Sequence, residues 1–206
     1  RIKIMKIKIC GLNPTRDVQL CINLKVNYLG FVFYDKSPRN VKLSDIEILS
    51  TYNKKDSSFV AVTVNPNDEF IKKNIIGNFD FIQLHGSETK DRVADIKNMG
   101  LKVIKAIKIK EEQDINKYRD FENADIILFD TPGMEKSLEF PKNLITKLPV
   151  GDKYALAGSI SKDNIENISK LGVNFFDLSS SLESQIGYKD HHKIKRFVNK
   201  INELKN

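Results

Sequence analysis

Cys10 closes the alternating run Ile7-Lys8-Ile9-Cys10 and is followed at once by Gly11 and the loop Leu12-Asn13-Pro14-Thr15. A thiol at a strand tip, where glycine lets the backbone turn away, is placed to meet a ligand rather than to fill a core. Asp130 ends a second apolar run, Ile126-Ile127-Leu128-Phe129, in the same manner. A base and an acid on two strand tips suit proton-transfer chemistry. By strand alternation Lys8 shares a face with Cys10, and on an inward face its charge demands a negative partner. Asp130 and Asp177 have the matching parity. Such a lysine orders the strands through an ion pair, lowers the thiol pKa, or does both.

Further capable residues cluster at other strand ends. Ala157-Gly158-Ser159-Ile160-Ser161 and Asp177-Leu178-Ser179-Ser180-Ser181 combine small hydroxyls and backbone amides of the kind that hold a phosphate. Helix caps and turns use the same residues, so it is the coincidence of two such ends that favours the anion reading. Arg39, after Ser37-Pro38, offers a planar fork suited to a carboxylate, against the plainer role of a solvated surface side chain. His85, flanked by Gln83 and Gly86, suits ligand binding better than catalysis, with packing or capping as its bland role. His191 and His192 lack a cysteine or carboxylate at metal-ligand spacing and read as surface residues. Cys21 lies in a helix-like stretch with Leu20 and Leu24 and reads as a small core residue.

The elements that must carry these residues alternate from end to end. β-rich runs fall at 6–10, 28–33, 59–64, 79–84, 102–107, 126–130, 154–157 and 175–178. Amphipathic helical patterns lie between them, for example at 41–52, 68–76, 88–99, 111–119, 161–171 and 188–204. Eight strand–helix units, about 25 residues each with no linker between them, predict a (β/α)8 barrel of the TIM type, an α/β fold whose sites lie where strands end. No G-x-G-x-x-G follows the first strand to favour a dinucleotide fold. We expect one domain over 1–206, with an N-terminal extension somewhere in residues 1–5 because Met5-Lys6-Ile7-Lys8 has the form of a natural start.

Composition sets the outer limits. Hydrophobic residues at 40% and charged residues at 30% fit a globular protein and exclude neither an enzyme nor a binding module. No apolar run reaches the roughly 20 residues of a membrane span, and no signal-peptide core is present, so we expect a cytoplasmic protein without membrane partners. Two cysteines are too few for a disulfide framework. The net charge of +7 comes from lysines scattered through every segment, which reads as a solvated surface and not as a nucleic-acid face.

Taken in order, Lys8-Ile9-Cys10-Gly11, Gly30-Phe31-Val32-Phe33 with Ser37-Pro38-Arg39, Gln83-Leu84-His85-Gly86, Asp130, Leu156-Ala157-Gly158, and Asp177-Leu178-Ser179-Ser180 with Glu183, Gly187, Lys189 and Asp190 make a specific set. From Lys8 to Asp190 the chain resembles the phosphoribosylanthranilate isomerases, barrels of the tryptophan pathway. The resemblance implies an Amadori rearrangement with Asp130 as general acid and Cys10 as general base. It also implies Arg39 on the anthranilate carboxylate, Gln83 and His85 as further substrate contacts, phosphate at Gly158, Ser159, Ser179, Ser180 and Ser181, and Lys8 and Asp177 in support. It calls for a small phosphoribosyl substrate, no cofactor and no metal, and allows other tryptophan-pathway enzymes as partners. The alternatives are another phosphosugar-barrel enzyme and a non-catalytic barrel that binds a phosphorylated ligand. The chain departs from the family pattern at Ser159 and Ser181, where glycine is usual, and over 131–141. There a Gly-Gly-Thr-Gly loop followed by Phe-Asp-Trp is replaced by a segment retaining Gly133 and Phe140.

Overall fold

Eight strands, each parallel to its neighbours, close on themselves: β1 (Lys6–Cys10), β2 (Tyr28–Phe33), β3 (Ser58–Thr63), β4 (Phe81–Leu84), β5 (Lys102–Lys108), β6 (Ile126–Asp130), β7 (Tyr154–Ala157) and β8 (Phe175–Leu178). β8 returns to pair with β1, with Lys8 opposite Asp177. This is the (β/α)8 barrel that the repeat predicts. It is seen in a computed structural model that describes residues 4–131 and 142–205. The departures over 132–141 and the first three residues of the expected extension lie outside the described residues.

Side-chain parity divides the strands into two cores. Val60, Val62, Phe81, Ile104, Ala106, Ile126, Leu128, Ala155, Ala157 and Phe175 fill the barrel. Ile7, Ile9, Leu29, Phe31, Phe59, Ile82, Val103, Ile127, Phe129, Phe176 and their like face outward and pack under the helices. The interior is stopped at the amino ends of the strands by Tyr28, whose ring stacks on Phe175 at 5.0 Å and meets Phe81 edge-on at 5.5 Å. The same inward parity carries Lys8, Cys10, Gln83, Asp130 and Asp177, so the polar residues of the interior lie above that apolar plug.

The connecting helices are α1 (Val18–Asn23), α2 (Ile46–Ser50), α3 (Asp68–Phe70), α4 (Lys90–Asn98), α5 (Glu112–Ile115), α6 (Lys142–Ile145), α7 (Ile165–Lys170) and α8 (His191–Lys205). Most are shorter than the sequence pattern predicts. The 41–52 segment is a 3-10 turn over Leu43–Asp45 followed by α2, the 68–76 segment passes from α3 into a π turn over Ile71–Ile75, and 111–119 becomes α5 and a 3-10 turn over Asn116–Phe121. All keep an apolar side chain over the barrel every three to five residues, so the pattern does not distinguish them from a continuous helix. The 188–204 helix starts later than expected because the Asp190 carboxylate accepts from the amides of His192 and Lys193 at 2.8 and 3.1 Å. Ahead of it stands a hairpin that the sequence did not announce, β9 (Glu183–Gln185) with β10 (Tyr188–Lys189). β4 begins at Phe81 and not at 79, where the side chain of Asp80 has turned to accept from the Phe59 amide at 2.7 Å. No helix of the described residues is long and apolar enough to cross a membrane.

Candidate active site

At the carboxyl ends of the strands the barrel opens into a cavity of about 1150 Å³ whose wall includes Cys10, Arg39, Gln83, His85, Asp130, Gly158, Ser159, Asp177, Ser179, Ser180 and Ser181. Of the expected site residues only Lys8 is not on that wall. It lies beneath, 1% exposed, with its ammonium 2.8 Å from Asp177 Oδ2. Asp177, and not Asp130, is therefore the partner of Lys8. Burial disfavours the ammonium, but Asp177 and then Cys10 outweigh it and hold Lys8 above the usual lysine range. Burial likewise holds the Asp177 carboxyl above its ordinary value against the pull of Lys8.

Cys10 is half-buried beside this pair. Burial pushes its thiol up, and Lys8 pulls it down by less than burial raises it. Gly30, opposite Cys10 in β2, eases the arrangement: a Cβ there would lie 3.1 Å from Cys10 Cα and 3.3 Å from Lys8 Nζ. Cys21, by contrast, is fully buried in α1 with its thiol pushed up to about 12, as suits a core residue.

Asp130 ends β6, and His85 follows β4. Their side chains meet across the cavity, Nε2 to Oδ2, at 3.2 Å. The His85 loop is held from behind by a buried ion pair. Glu88 accepts from the amides of Asn65 and Gly86, and Lys105 donates to Glu88 Oε2 at 2.8 Å and to the Gly86 carbonyl at 2.9 Å. Those bonds take the Glu88 carboxyl below the usual range although burial opposes them. Gln83 is buried, and its Oε1 has no hydrogen-bond partner among the described residues.

Arg39 enters the wall with its fork already engaged. Its Nε and Nη2 donate to the two oxygens of Glu183 at 2.6 and 2.7 Å. Lys189 donates to Glu183 Oε1 at 2.8 Å and to the Ser179 carbonyl at 3.1 Å, and the Ser179 hydroxyl donates to the Cys10 carbonyl at 3.1 Å. Burial works upward on Glu183, but hydrogen bonds from Arg39 and Lys189 take its carboxyl down to about 2. Neither Glu183 nor Lys189 is assigned a role by sequence reasoning, although both belong to the motif set. The available signal was Gly187, whose φ of +80 fits the two-residue turn of the hairpin that pairs them.

The wall at β7 and β8 is built from small residues in tight contact. Gly158 has a φ of +96, and a Cβ there would come within 2.2 Å of Thr131 Oγ1. Ser159 also adopts a positive φ, +44, in a loop that Asn164 braces by donating to the Ser159 carbonyl at 2.7 Å and accepting from the Ser161 amide at 2.9 Å. Ser181 does not share this strain, lying in a 3-10 turn over Ser180–Leu182. His191 is not a plain surface residue: its Nε2 lies 3.0 Å from Asp17 Oδ1, a carboxylate buried under the first loop. Among the described residues no group of three or more His, Cys, Asp or Glu side chains is arranged to hold a metal ion.

A closed barrel with a thiol, two carboxylates and a histidine around one mouth defines an enzyme of the (β/α)8 class, with its chemistry at the carboxyl ends of the strands. The family model for N-(5'-phosphoribosyl)anthranilate (PRA) isomerase matches residues 7–200. An N-(5'-phosphoribosyl)anthranilate isomerase of Petrotoga mobilis is 38% identical over 210 residues, covering 98% of this chain and 99% of the relative. The crystal structure of phosphoribosyl anthranilate isomerase from Thermotoga maritima is similar with a TM-score of 0.86 at 26% identity, over 97% of this chain and 100% of that one. A structure of such an isomerase in complex with reduced 1-(o-carboxyphenylamino)-1-deoxyribulose 5-phosphate is similar with a TM-score of 0.83, at the same identity and coverage. The chain belongs to the phosphoribosylanthranilate isomerase family and is an isomerase of tryptophan biosynthesis.

Proposed function

We propose that Asp130 and Cys10 are the general acid and general base of an Amadori rearrangement of N-(5'-phosphoribosyl)anthranilate. Asp130 gives its proton to the furanose ring oxygen, the C1'–O4' bond breaks, and the anthranilate nitrogen takes up the positive charge as a Schiff base. Cys10, as thiolate, removes the C2' proton, and the electron pair moves through C1' to the nitrogen to give a neutral enolamine. Return of the Cys10 proton to C1', with loss of the 2'-hydroxyl proton to Asp130, yields the ketone and resets both groups. His85, 3.2 Å from Asp130 Oδ2, keeps that carboxyl oriented and adds a contact to the substrate. Arg39 takes the anthranilate carboxylate, Gln83 adds a polar contact, and Gly158, Ser159 and Ser179 to Ser181 take the phosphate. Lys8, held in place by Asp177, favours the thiolate, while the Asp177 charge itself works against it.

The single observation that carries this reading is the sharing of one cavity by Cys10 and the His85–Asp130 pair. The isomerase complex named above supports the choice of ligand, since its bound molecule has a phosphate at one end and a carboxyphenyl group at the other. Loss of substrate fluorescence tests it. Cys10→Ala and Asp130→Asn should each lower kcat by at least about a hundredfold, the low end of acid–base contributions, with KM within several-fold. A Cys10→Ala variant with undiminished kcat eliminates the thiol as base. A folded wild type without turnover moves the assignment to a non-catalytic barrel.

A further inference from the structure

We propose that Glu183 and Lys189 form a positioning device that aims Arg39 at the ligand carboxylate and keeps the grip positive. The inference rests on the reading of Arg39 given above and extends it to residues behind the wall.

Arg39 is confined on three sides. Glu183 holds its Nε and Nη2 in a two-point pair. Gly11 lies against its stem, where a Cβ would come within 2.5 Å of Arg39 Cδ. The turn of the β9–β10 hairpin abuts the preceding residue, since a Cβ on Gly187 would approach the Pro38 carbonyl to 2.8 Å. A guanidinium fixed through one edge keeps Nη1 and the far edge for another partner, and Arg39 is still on the cavity wall. The rotamer freedom that an arginine ordinarily loses on gripping a ligand has here been lost in advance.

The charge count explains the lysine. Arg39 with Glu183 alone is neutral, and a carboxylate brought to it would meet a second carboxylate close by. Lys189, its side chain wholly buried, sits on the same Glu183 oxygen as Arg39 Nε and leaves the cluster one positive charge in excess. Lys189 also holds the Ser179 carbonyl, so the hairpin joins the carboxylate end of the site to the loop after β8.

The test uses the full chain and two ligands, the 2-carboxyphenylamino deoxyribulose phosphate product and the same compound with an unsubstituted phenyl ring, with affinities measured by calorimetry. Glu183→Gln removes a carboxylate and by charge alone would strengthen the grip, yet through lost aim it should weaken the carboxylate ligand by roughly tenfold or more, the effect of one mispositioned charge-assisted bond, and leave the phenyl compound within about twofold. In an Arg39→Ala background it should add less than about twofold. Lys189→Met should show the same preference for weakening the carboxylate ligand, and serves should Glu183→Gln fail to fold. Equal weakening of both ligands, or a full effect without Arg39, overturns the proposal. Wild-type turnover is a separate arm: a protein that binds the pair with this selectivity but does not isomerise the substrate refutes the catalytic reading alone.

Discussion

The thiol of Cys10 is caught between burial, which keeps its proton on, and Lys8, which draws it off, with burial the larger. In the free protein the base is therefore mostly in its neutral form at pH 7, and its reactivity rises with pH through and beyond the ordinary cysteine range. The rate of Cys10 alkylation by iodoacetamide should follow that rise. Lys8→Met should slow alkylation at every pH below the plateau and move the rise upward; an unchanged profile would show that Lys8 does not act on the thiol. Ser159 presents a different tension. Its φ of +44 costs a residue with a Cβ about 1–2 kcal/mol, against roughly 0.5–1 kcal/mol that glycine loses to chain freedom. Ser159→Gly should therefore stabilise the protein by about 0.5–1 kcal/mol in urea unfolding. A loss of stability would mean that the Asn164 brace depends on serine.

Strands and helices differ in how much of themselves the sequence displays. Inward parity is written in β1, β4, β6 and β8 one residue at a time, so the side on which Cys10, Gln83, Asp130 and Asp177 lie could be read directly, and the count of units gave the barrel. Partners could not be read. Arg39 and Glu183 are 144 residues apart and Lys8 and Asp177 are 169 apart, and nothing local says which carboxylate meets which cation. Helix lengths were misread because a 3-10 or π turn satisfies the same apolar spacing as an α-helix. The same blindness hid Glu88 and Lys105, a strand residue of outward parity buried beneath the β4 loop. Truncating Glu88 to alanine strands the Lys105 ammonium and two amides, which should cost about 3–5 kcal/mol. The loop it braces carries His85, so kcat should fall alongside stability. A fall in stability with full activity would show that the brace does not set the His85–Asp130 contact.

Over the whole molecule the depressed carboxyls set the response to acid. Glu183, ordinarily at 4.5, titrates at about 2 when folded, and Glu88 is also lowered. A group whose folded pKa lies below its unfolded value binds protons preferentially when unfolded, so its contribution is present above about pH 4.5 and is lost as the pH falls toward 2. Asp177, held up by burial, acts in the opposite sense and softens the loss. The urea midpoint should hold from pH 7 to about 5 and then drop, and the drop should be smaller in Glu183→Gln, whose amide no longer titrates. An identical acid limb in the variant would remove Glu183 from the account. The Lys8–Asp177 pair also has a meaning in time. It bridges the seam where the eighth strand joins the first, so the two halves of the charge that surrounds Cys10 leave the ribosome 169 residues apart. At about 5–20 residues per second, roughly ten to thirty seconds of synthesis separate them. Until β8 arrives, Cys10 is an ordinary cysteine on an open edge with Lys8 beside it and no carboxylate opposite; closure brings the burial and the Asp177 charge that hold its proton on, so the unfinished chain carries the more readily ionised thiol and the finished barrel the guarded one.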